Sequence, residues 1–268
     1  MGTHWRTRAK AVTLTISALL GLGALAGCTG SGGNSAVSTA TKSVSKTAPS
    51  VGRATALLQG TLAALRSGGS VHVDISTTTS AGSMAYSDDA TASGGRQIVT
   101  VNKTEHLTIL FIAGVAYVQA DTNGLGFFDV PQSQAKQFAR KWIAVRPGDT
   151  LGTSSYADVT AGITLSSVAT ELKPSGGPAT LAAPAVINGQ RVVGVQAPLP
   201  ATSQFPAAAR DVLYMTDDSL LRPVLSEITN ADGYTYQMSF SRWGETLPLT
   251  APANTVPASS VTPVSSIT

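Results

Sequence analysis

The chain has one cysteine and three histidines, and only 12% of its residues are charged. A single thiol excludes an internal disulfide, so an apolar core must supply the stability. With no His-x-x-x-His motif and no cysteine cluster, the sequence offers no ligand set for a transition metal. Asp88-Asp89 and Asp217-Asp218 lack the spacing of a calcium loop and read as turn residues. The chain also lacks a G-x-S-x-G elbow and an S-x-x-K accompanied by its partner motifs. Gly32-Gly33 and Gly176-Gly177 are not followed by Lys-Ser or Lys-Thr, which excludes a phosphate-binding glycine loop. The prediction is a protein that is not an enzyme and needs no metal or cofactor. A Ser-His-Asp triad that meets only in space, using His72 or His106, is the remaining catalytic alternative.

The lone cysteine, Cys28, stands in Leu25-Ala26-Gly27-Cys28. Basic Arg6, Arg8 and Lys10 and an apolar run over residues 11–22 precede it, in the order of a secretory leader ending in a lipobox. The run is too short to span a bilayer. Cleavage between Gly27 and Cys28, with diacylglycerol joined to the sulfur by a thioether, would anchor the chain to the outer face of the cell membrane. Thr7 separates Arg6 from Arg8, so the twin-arginine export pair is missing. Loss of residues 1–27 takes Lys plus Arg from 18 to 15, equal to the 15 Asp plus Glu, and removes any reason to expect nucleic acid.

Residues 28–52 carry the lipid site and then Ser, Thr, Gly and Ala without apolar periodicity, a flexible tether. A helix is predicted over 53–66, with Leu57, Leu58, Leu62 and Leu65 on one face and Gly68-Gly69 as its stop. Val73 and Ile75 alternate with polar residues, as a half-buried strand requires. Strands are also expected over 84–91, 97–103, 105–112 and 115–120, the last two joined at Ala113-Gly114. Asn123-Gly124 is read as a turn, 127–130 as a short strand, 132–140 as a helix and 142–146 as a strand. A helix is expected over 165–172. Asn188-Gly189 is the strongest hairpin signal, joining 186–187 to 191–197. One helical turn is expected over 205–210, and a hairpin joins 211–215 to 220–230, with Pro223 at an edge or bulge. After Asp232-Gly233, Tyr234, Tyr236, Met238 and Phe240 share one face of the most strongly patterned strand. Residues 258–268 are expected to fray. The prediction is one α+β domain over 53–257, built on an antiparallel sheet.

Three stretches, residues 113–119 with Lys141-Trp142-Ile143, residues 188–195 and residues 239–252, make the chain resemble the LppX/LprA/LprF/LprG family of actinobacterial envelope lipoproteins. The likeness covers most of 53–257. It implies a LolA-like fold, an open half-barrel of curved antiparallel sheet with helices packed on its concave face. It also implies a cavity holding a hydrophobic ligand, an acylated lipid, between sheet and helices. Read onto this sequence, the cavity would be lined by Leu57, Leu58, Leu62, Leu65, Val73, Ile75, Ile109, Phe111, Val193, Val195, Tyr236, Met238 and Phe240. A hydrophobic content of 43% is ordinary for a globular chain, so composition itself calls for no ligand. The alternative is an envelope module with a filled core that binds a protein or cell-wall partner.

Overall fold

The computed structural model describes residues 48–79, 82–172, 178–199, 209–230 and 235–261. Gly27 and Cys28, the Asp232-Gly233 turn, residues 205–208 of the expected helical turn and residues 262–268 lie outside the described residues.

Helix α1 (Ala48–Ser67) begins inside the stretch read as tether. Pro49 falls in its first turn, where a missing N–H breaks no hydrogen bond. Leu62, Leu65 and Ala54 are buried, while Leu57 and Leu58 are half-buried. Thr61 is fully buried on the same helix, and its hydroxyl donates to the Leu57 carbonyl at 2.9 Å. Gly69, at φ +76, turns the chain into the sheet.

The strands are β1 (Ser70–Thr79), β2 (Gly82–Thr91), β3 (Gly95–Val101), β4 (Thr104–Ile112), β5 (Val115–Ala120), β6 (Trp142–Val145), β7 (Thr150–Leu151), β8 (Ser154–Ser155), β9 (Thr180–Leu181), β10 (Ala185–Ile187), β11 (Gln190–Leu199), β12 (Ala209–Thr216), β13 (Pro223–Asn230), β14 (Thr235–Ser241) and β15 (Thr255–Pro257). Between β5 and β6 lie helices α2 (Thr122–Gly126) and α3 (Gln132–Phe138). Helices α4 (Tyr156–Val159) and α5 (Leu165–Glu171) follow β8. Among the described residues the main sheet runs β10-β11-β12-β13-β14-β1-β2-β3-β4-β5-β6-β15, with β9 also on β11, and β7 pairs β8 separately. It is antiparallel except where β15 joins β6 in parallel. The sheet is curved and open, with helices on its concave face, as the resemblance implied.

Period two sorts every strand residue to one face or the other. One inner row passes from Met238 through Ile75, Tyr86, Val99 and Leu107 to Ala120. The next passes from Phe240 through Val73, Asp88, Gln97 and Ile109 to Val118 and Ile143. Two apolar clusters share this face. In the first region, β3 to β6 pack under α2, α3 and α4 with Leu125, Phe128, Phe138, Leu151 and Ile163. In the second, β1, β2 and β11 to β14 pack under α1 and α5, with Leu65, Leu165, Leu213, Met215 and Met238.

Several sequence readings need correction. Asn123-Gly124 lies in α2 rather than in a turn, and the Asp121 carboxylate caps the helix by accepting from the Gly124 N–H at 2.6 Å. Residues 127–130 form successive turns, not a strand, closed by Phe128 N–H to the Leu125 carbonyl at 3.2 Å. Asp88-Asp89 is no turn: both residues are interior to β2, point to opposite faces and are 0% and 4% exposed. The expected free tail starts too early, since a 3-10 turn (Ala258–Val261) buries both its terminal residues completely in the first region. Pro223 opens an interior strand, beside a register shift at Tyr214/Met215, so its place is the bulge and not an edge.

Candidate functional site

The residues expected to line a cavity gather mostly in the second region. Leu62, Leu65, Val73, Ile75, Val195, Met238 and Phe240 are buried there, with Leu57, Leu58, Val193 and Tyr236 half-buried against them. The sheet register sets the inward residues opposite one another, Val193 with Met215 and Val195 with Leu213. Ile109 and Phe111 belong to the first region instead. Ile109 is 3% exposed between Gln97 and Val118, and Phe111 meets the Tyr156 ring edge-on at 6.4 Å.

The half-buried members of the second region all pack against its buried centre. Leu57 and Leu58 on α1, Leu181 on β9, Val193 on β11, and Leu221 and Tyr236 border the second region as a seam around a closed centre. A side chain in such a seam keeps part of its apolar area in water, so further burial there is favourable at about 25 cal/mol per Å². Deeper in, Leu65 and Met215 are 0% exposed and Met238 1%. A depression of about 200 Å³ lies elsewhere, lined mainly from the outer face by Asp74, Ser76, Ser87, Thr100, Gln237 and Ser239.

The inner face carries polar groups that the sequence reading passed over. Asp88 sits between Val73 and Gln97 in the inner row and is 0% exposed. Its Oδ2 accepts from Gln97 Nε2 at 3.3 Å, while Oδ1 has no partner. Burial pushes the Asp88 pKa well above the ordinary carboxyl value, the Gln97 bond works against that, and the negative charges of Glu171, Asp89 and Asp74 add to the rise. Asp211, inward on β12, is pushed up to about 6 by burial, against a hydrogen bond from Ser226. Both could have been found by extending the inward parity of Tyr86 and Leu213 by two residues.

Asp89 has the opposite environment on the outer face. Arg242 Nη2 donates to its Oδ1 at 3.0 Å, His72 Nδ1 lies 2.7 Å from the same oxygen, and Arg96 binds Oδ2. Burial acts to raise its pKa, but the His72 and Arg96 hydrogen bonds and charges outweigh it and hold the carboxyl below its ordinary value. His72 Nε2 meets Asp74 at 3.1 Å, which commits its second nitrogen. His106 pairs with Asp121 at 2.8 Å, bracing the carboxylate that caps α2. Among the described residues no serine hydroxyl bonds either histidine, and no three His, Cys, Asp or Glu side chains are grouped to hold a metal. No described helix is long and apolar enough to cross a membrane.

Together these features define an open antiparallel half-barrel whose apolar inner face is roofed by helices. No protein-family profile matches the chain, and neither does any curated protein. Solved structures do. The lipoprotein LppX of Mycobacterium tuberculosis aligns at 16% identity and a TM-score of 0.47, covering 73% of this chain and 97% of that one. LprF of Mycobacterium bovis aligns at 16% identity and 0.48, covering 76% and 98%. A putative outer membrane lipoprotein-sorting protein domain from Vibrio parahaemolyticus aligns at 9% identity and 0.32, covering 74% and 94%.

Proposed function

We propose that this protein is an extracytoplasmic lipoprotein, anchored through diacylglyceryl-Cys28, that binds an acylated lipid between α1 and the concave face of the sheet. The observation that carries the reading is the set of half-buried apolar side chains, Leu57 and Leu58 on α1 with Leu181, Val193 and Tyr236, packed against the second region. Acyl chains would enter by levering α1 from the sheet, and each buried methylene contributes about 0.8 kcal/mol. Binding and release then need no chemical step, only exchange of one apolar surface for another. Residues 28–47 would serve as the tether, holding the domain near the membrane from which it takes lipid.

The test is expression of the full chain in a lipid-rich bacterial host, followed by native mass spectrometry and organic extraction of the detergent-purified protein. Stoichiometric acyl lipid beyond the covalent anchor is expected. Cys28→Ala should move the protein from the membrane fraction to the soluble one without removing the bound lipid. A chain that carries no lipid and takes up none when offered would overturn the reading. A second reading, an envelope module that binds a protein or cell-wall partner, draws on the complete burial of Leu65, Met215 and Leu165 beneath the roof. It expects a bare chain in the same experiment.

A further inference from the structure

We propose that Asp88 is the polar specificity determinant of the concave face, a buried carboxyl whose free Oδ1 meets an uncharged hydroxyl of the ligand and leaves an anionic headgroup without a partner. The inference rests on the acyl-lipid reading and adds the chemistry that selects among such lipids.

The first support is the anomaly at Asp88 itself. A fully buried carboxyl oxygen with no hydrogen-bond partner is costly, and native cores contain few of them. Its second oxygen has only the long bond from Gln97, so the chain leaves the group under-satisfied. Asp88 also stands where the two apolar regions meet, since Val73 beside it belongs to the second and Ile109, beyond Gln97, to the first. Acyl chains lying along the second region would bring a polar linkage to this point. A Cβ at Gly162 would meet Glu171 Oε1 and Gln97 Nε2, so the chain leading into α5 passes beside the same glutamine that bonds Asp88.

The second support is the sign of the surrounding charge. Among the described residues, the inward positions of β1 to β6 and β11 to β14 that are buried or half-buried include no Lys or Arg, since Arg191, at the inward parity of Val193, is exposed at the start of β11. The acids with raised pKa values at such positions are Asp88 and Asp211. The nearby guanidinium groups, Arg96 and Arg242, are spent on Asp89 across the sheet. A phosphate or fatty carboxylate placed inside would be desolvated against acids with no countercharge. The free Oδ1 accepts from a ligand hydroxyl both as a carboxylate oxygen and as the carbonyl oxygen of a neutral carboxyl, and in either form it is an acceptor that a phosphate or ether oxygen cannot satisfy. The face therefore suits a group that is polar but neutral.

The test uses the full chain in mild detergent, stripped of lipid, with displacement of a fluorescent acyl probe. Four competitors are compared: dioleoylglycerol, its 3-O-methyl ether, dioleoylphosphatidylglycerol and methyl oleate. For the wild type, dioleoylglycerol should bind about tenfold tighter than either the methyl ether or the phosphatidylglycerol. Asp88→Leu should erase the difference between dioleoylglycerol and its ether while leaving methyl oleate unchanged. Equal affinity of the wild type for alcohol and ether overturns the inference even if the variant fails to fold, and so does a discrimination that survives in Asp88→Leu. If the wild type binds none of the four, methyl oleate included, the acyl-lipid reading itself falls.

Discussion

The two halves of the concave face are built from the same alternating strands and differ in how they are covered. Over β3 to β6 the cover is several short pieces, α2, α3, α4 and the 3-10 turn, two of them tied locally by caps, Asp121 on Gly124 in α2 and Ser155 on Asp158 in α4. Those pieces fill the space with Leu125, Phe128, Phe138 and Val261. Over β11 to β14 the cover includes one long helix, α1, which puts Leu57 and Leu58 in a half-buried seam. Short pieces anchored separately in the core do not move as one body. A single long helix can be displaced as a unit, so the binding reading belongs to the second half.

The difference can be broken first by mutation. Ile143→Ala, at a position 0% exposed in the first region, should cost about 2–5 kcal/mol in urea unfolding and leave lipid retention unchanged. Removal of residues 258–268, including fully buried Ala258 and Val261, should cost about 2–4 kcal/mol and raise hydrogen exchange selectively in β6. A truncation that leaves β6 exchange unchanged would show that this half is not held by its last turn.

The acids of the inner face make pH a finer probe. Their pKa values are raised in the folded state, so folding takes up protons and stability falls as pH rises from the ordinary value of 3.8 through the folded value. For Asp211 that window ends at about 6. Asp88→Asn should therefore stabilise the protein by about 1–3 kcal/mol at pH 8, with a smaller gain at pH 4, in paired thermal melts. Leu58→Ala should cost under about 1 kcal/mol, because the residue is only half-buried, yet weaken lipid retention several-fold. The smallest effect expected is at the β4–β5 turn, where Ala113 holds φ 50. Ala113→Gly should gain about 0.5–1 kcal/mol there, read from the shift in urea midpoint.

Much of this architecture was legible where one signal dominated. The alternation of β1 and β14 appears as buried Val73, Ile75, Met238 and Phe240 against exposed Asp74, Ser76 and Ser239. The Asn188-Gly189 hairpin has both residues at positive φ, 51 and 78, as its two-residue turn demands. Legibility failed where two local rules competed. Asn123-Gly124 carries a hairpin signal, but Asp121 two residues earlier caps a helix, and the close approach of the His106 carbonyl leaves room only for glycine at 124. Asp88-Asp89 looked like a turn because adjacent acids favour exposure. Asp88 follows the inward parity of Tyr86, whereas the burial of Asp89 is revealed only by its partners, since Arg96 and Arg242 come from β3 and from just beyond β14. Leu57, Leu58, Val193 and Tyr236 of the seam stand in the expected lining, but their half-burial is not legible in sequence, because a half-buried leucine and a buried one occupy the same helical stripe.

The position of β1 in the strand order has a consequence for how the chain folds. It lies in the middle of the sheet, with one neighbour following at once and the other, β14, meeting it through contacts such as His72 to Arg242, 170 residues apart. A chain made from its N-terminus can zip β1 through β6 early, but the far side of β1 stays an open edge until almost everything else has been made. That edge invites mispairing with other chains, and its late closure makes folding slow for a protein of this size. The second region, the one read here as the binding half, is accordingly the last to be assembled and the one most in need of protection until β14 docks.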